Sequence, residues 1–176
     1  AAPWVEMGLR RLLQEGGIDI ERDKVQISPV PGAQGAGVNF GVTAARALEE
    51  GKIDGFWANG MGTEVAVRSG AGVVVLDVRR GDGPPSCFNY TMASVAAADR
   101  LIDGSPQVAA AAVRAIVKTQ AALKANVDLA TVVGKKYFPS SEAALIAGLI
   151  ERDLPYYDAV ISEEFVDGMN QFARDL

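Results

Sequence analysis

Histidine is absent from this 176-residue chain, and cysteine occurs once, at Cys87. Without histidine there is no Ser-His-Asp or Cys-His nucleophile pair and no zinc helix built on two histidines. Carboxylate or lysine chemistry, or no chemistry, is what remains. A lone cysteine cannot close an internal disulfide, and its simplest role is that of a small buried hydrophobe. Long apolar runs are missing too: the alanine-rich stretch from Val108 to Val117 is broken by Arg114, short of the roughly 18 residues that a spanning helix needs. Direct membrane insertion is therefore not expected. Positive charge is not concentrated either. Lys plus Arg number 17 against 22 acids, for a net charge of -5, and no stretch could neutralise a row of phosphates. No nucleic-acid partner is expected.

What is present suits a folded chain with a sizeable core. Hydrophobic residues make up 49%, and the length fits one domain or one and a half small lobes. The chain opens at Ala1 with neither an initiator Met nor a charged-then-apolar leader, so the expectation is a removed signal peptide or missing upstream sequence.

Helical spacing from Trp4 to Gln14 (Val5, Leu9, Leu12, Leu13) with a Gly16-Gly17 stop predicts a first helix. "DKVQISPV" alternates Val25 and Ile27 with polar residues and reads as a strand, closed by Pro29 and Pro31. A glycine-rich loop, "PGAQGAGVNFG", leads into a helix over 42–50 that Gly51 ends. It lacks the spacing of a dinucleotide fingerprint and is expected at the rim of a lobe. "KIDGFW" then reads as a short strand, "GMGTEVAVRSG" as a brief helix ended by Gly70, and "GVVVLDV" as a strand covered on both faces. "RRGDGPPS" marks a boundary, and "CFNYTMAS" is a further strand candidate. After Ala96 the pattern is helical. Ser105 and Pro106 open a helix to about Asn126, and others follow near 127–137, 140–153 and 162–175, the last with Ser162 at its N-cap. Alternating helices and strands in the first part predict an α/β class with a parallel or mixed sheet. The acidic pairs Glu49-Glu50, Glu163-Glu164 and Asp153 with Asp158 read as solvated charge, and nothing sets two carboxylates across a pocket.

The order of the blocks "GKIDGFW", "GVVVLDV", "FNYTMAS", "DGSPQVAAAAVRAIVKTQAALKAN" and "ISEEFVDGMNQFARDL" resembles the solute-binding proteins of ABC transporters for nitrate, sulfonates, taurine and thiamine-precursor pyrimidines. The resemblance implies an α/β, type II periplasmic-binding-protein-like fold, a two-lobed clam closing on a ligand. By it, residues 1–80 form the second lobe, 81–95 the hinge, and 96–176 a helical segment returning to the first lobe. It also implies that the chain is an internal piece of such a protein, or one whose flanks are not seen. Where many relatives carry a Trp-Asp-Pro-like triplet, this chain has Asn59, Gly60 and Met61, which leaves the ligand class open.

In an open α/β sheet, ligands gather at the carboxyl ends of strands. Phe56 and Trp57 would then wall a cleft, with Asn59 offering a donor and an acceptor. Because successive strand residues face opposite sides, at most one of the aromatics can line it. The plainer alternative puts one in the core and packs the other against a helix. Ala1, Ala2 and Trp4 lie at a helix start whose free N–H groups could hold an anion, or they simply begin the helix. Asn89 and Tyr90, on the crossing strand, complete the candidates, with a buried hydrogen-bonded Tyr as the alternative. The implied function is a non-catalytic, periplasmic or extracytoplasmic solute-binding component that captures a small anion or heterocycle by hinge closure. Its partner would be the transporter's permease subunit, and neither cofactor nor metal is expected. The alternatives are a thiamine-pyrimidine biosynthetic enzyme on the same scaffold and a ligand-sensing regulatory domain.

Overall fold

Glycines in the left-handed region decide where the early helices stop. In the computed structural model, which describes residues 3–35, 37–83, 94–156 and 159–175, helix α1 spans Pro3–Glu15, α2 Phe40–Glu49 and α3 Gly60–Ser69. Gly17 (φ 76°) follows α1 and Gly51 (φ 67°) follows α2. Each sits in a paired closure: Ile18 N–H donates to Leu13 O and Gly17 N–H to Gln14 O after α1, while Lys52 N–H donates to Ala47 O and Gly51 N–H to Leu48 O after α2. All three helices match the periodicity of the sequence.

The chain divides into two units, Ala1–Thr91 with Glu163–Leu176, and Met92–Ser162. In the first, α2 and α3 pack through small side chains, with Ala44, Ala45, Ala47 and Ala66 buried. Two contacts fix their relative sense. A Cβ on Gly62 would collide with the Gly41 carbonyl near both N-terminal ends, and one on Gly72 would press on Leu48 Cδ2 near both C-terminal ends. The helices therefore run side by side in the same direction, and residues 50–59 connect the end of α2 to the start of α3. A separate cluster centres on Val78 and Phe172, each 3% exposed, with Met7, Leu12, Trp57, Leu76 and Met169 packed around it. Phe172 comes from the C-terminal helix of this unit, Glu163–Asp175.

The second unit is built from α4 (Asp99–Gly104), α5 (Pro106–Ala125), α6 (Asp128–Tyr137) and α7 (Ser140–Asp153), so the Glu163–Asp175 helix is α8. Helices α6 and α7 form a hairpin in which Ile146 lies over Gly134, with Ala143 and Ile146 buried. Pro106 opens α5 as expected, but the Ser105 hydroxyl makes no capping bond. The short α4 was not foreseen. Asp153, expected as solvated charge, is instead 2% exposed, beside Arg152 at 3.5 Å.

The expected α/β, type II periplasmic-binding-protein-like architecture is not what the chain adopts: the described residues are mainly helical and contain no strand. A strand exists only through its ladder. "DKVQISPV" is irregular, with prolines at 29 and 31 that lack an N–H, and Val25 N–H closes a turn onto Ile20 O. "KIDGFW" and "GVVVLDV" also lack ladder partners among the described residues. Val73 and Val75, expected to be covered on both faces, are 85% and 93% exposed. "CFNYTMAS" lies largely outside the described residues, as does most of the expected hinge, 81–95.

Candidate functional site

Helices α2 and α3 each begin at an asparagine. Asn39 Oδ1 accepts from Val42 N–H at 3.3 Å, and Asn59 Oδ1 accepts from Gly62 N–H at 3.2 Å. The backbone carbonyls of the same two residues accept from Thr43 N–H at 3.1 Å and from Thr63 N–H at 3.4 Å. Asparagine suits this position because its short amide reaches back to the first turn while its backbone stays extended, at ψ 100° for Asn39 and ψ 164° for Asn59. The N–H groups of Phe40, Gly41, Gly60 and Met61 find no acceptor among the described residues, as first-turn amides generally do not.

Proximity makes the pair more than two separate caps. Gly41 and Gly62 touch backbone to backbone, and Asn59 Oδ1 lies against Gly41. A side chain at either glycine would hold the two helix ends apart. Each N-terminus carries about half a positive charge from aligned peptide dipoles, and here two such ends adjoin. Residues 25–45 and 55–63 contain no Asp, Glu, Lys or Arg, and the next residue along α3 is the buried Glu64, which pairs with Arg68. The arrangement can hold a small anion through neutral donors.

Of the residues expected from the sequence, the structure brings Asn59 to this place as the cap of α3. Trp57 is half-buried and packs against the Val78–Phe172 cluster. Phe56, its neighbour, is also half-buried. Trp4 lies in the first turn of α1. Ala1, Ala2, Asn89 and Tyr90 lie outside the described residues. Asn39 was missed, although an Asn just before a helical pattern is a recognised cap signal. The two long uncharged stretches were equally visible. The glycine loop expected at a rim contributes Asn39 and Gly41 to the pair.

Other features lead elsewhere. An open recess in the second unit is lined by Leu123, Lys124, Val127, Glu151, Leu154 and Pro155, with no set of converging donors. The Asp23 carboxyl is held below its usual range, first by the Arg22 guanidinium and then by the Asp19 N–H. Among the described residues no three His, Cys, Asp or Glu side chains are grouped to hold a metal ion, and no helix is long and apolar enough to cross a membrane. Comparison with family models, with curated proteins and with solved structures finds no match to this chain.

Proposed function

We propose that this chain captures a small anionic solute at the adjoining N-terminal ends of α2 and α3, and that it does so as the non-catalytic binding component of an ABC importer. The observation that carries the first part is the contact of two asparagine-capped helix ends through Gly41 and Gly62. First-turn amides with no acceptor among the described residues, together with the summed dipoles, favour negative charge there. The import role, the permease partner and capture by hinge closure rest on the order of sequence blocks alone. The described residues hold none of the strands that family would need, so the two parts are tested separately.

A thermal-shift panel of nitrate, alkyl sulfonates and carboxylates, with neutral pyrimidines alongside, tests the binding. A solute that prefers the folded chain raises the melting point by mass action, by about 2.7 kcal/mol of stability at a hundredfold excess over Kd. An anion should raise it and a neutral pyrimidine should not. No shift with any member overturns the proposal. Isolation of the chain with a permease and its ATPase from the native membrane tests the import role.

A further inference from the structure

We draw no further inference here: the strongest candidate, the irregular apolar segment over 73–76 of the first unit, on which Val73 and Val75 stand largely exposed, is an apolar face, and nothing in the structure shows what covers it.

Discussion

Asn59 caps α3, and a single substitution can separate that role from the anion binding proposed above. Replacing it with Ala removes the bond to Gly62 N–H and should cost about 1 kcal/mol of stability. Replacing it with Asp keeps a good cap but sets a negative charge where the anion would sit. Asn59→Asp is therefore expected to melt close to the parent while losing the anion response, and a full response from this variant contradicts the proposed site. Gly62 tests the contact itself. A methyl there meets the Gly41 backbone, which no rotamer change relieves, so Gly62→Ala should destabilise by about 1–3 kcal/mol, the usual range for overpacking. At Gly104 a Cβ would meet nothing within 4 Å, and Gly104→Ala should be neutral or stabilising by up to ~1 kcal/mol. Chemical denaturation of the two variants reads the contrast, and equal effects would contradict the packing described.

Asp23 supplies the pH prediction. Its folded pKa is depressed, chiefly by Arg22, so whatever stability the pair lends is present above the ordinary aspartate range. It fades as pH falls through the depressed value. An NMR titration of the Asp23 carboxyl should show a midpoint below that of an unstructured aspartate, and Arg22→Gln should move it back up. The ion pair is exposed, and added salt should shrink the difference.

Among the elements, the sharpest contrast is between Phe172 on α8 and Val75 in the irregular segment after α3. Phe172 is 3% exposed in the cluster with Val78, and Val75 is 93% exposed. Phe172→Ala should cost about 3–5 kcal/mol, and Val75→Thr should stay within about 0.5 kcal/mol. A large loss from Val75→Thr would mean that the segment is covered after all. The same segment shows what the sequence could and could not tell. Helix ends were legible because Gly17, Gly51 and Gly70 take left-handed backbone that other residues avoid. The run "GVVVLDV" carries strong β character, but composition reports only a preference for extended chain. A strand also needs a partner at about 4.8 Å, and no local pattern names one. The packing of Trp57 was not legible for a related reason: its place in the Val78–Phe172 cluster depends on a helix more than a hundred positions downstream. Asn59 and its Gly62 were readable locally, and the contact with Gly41 was not.

For the molecule as a whole, the proposal joins a sequence likeness to a local geometry, and the two do not lean on each other. The likeness implied sheets and a clam, and the described residues contain no strand. The geometry needs only the first unit, where two helix ends meet between uncharged stretches of chain. Calorimetric titration with the best anion from the panel, into the parent chain and into Asn59→Asp under the same buffer, measures that claim most directly. The account predicts one binding site per parent chain and at least a tenfold weaker Kd in the variant, about 1.4 kcal/mol or more. Equal affinity in both proteins, or no heat from either, would contradict it.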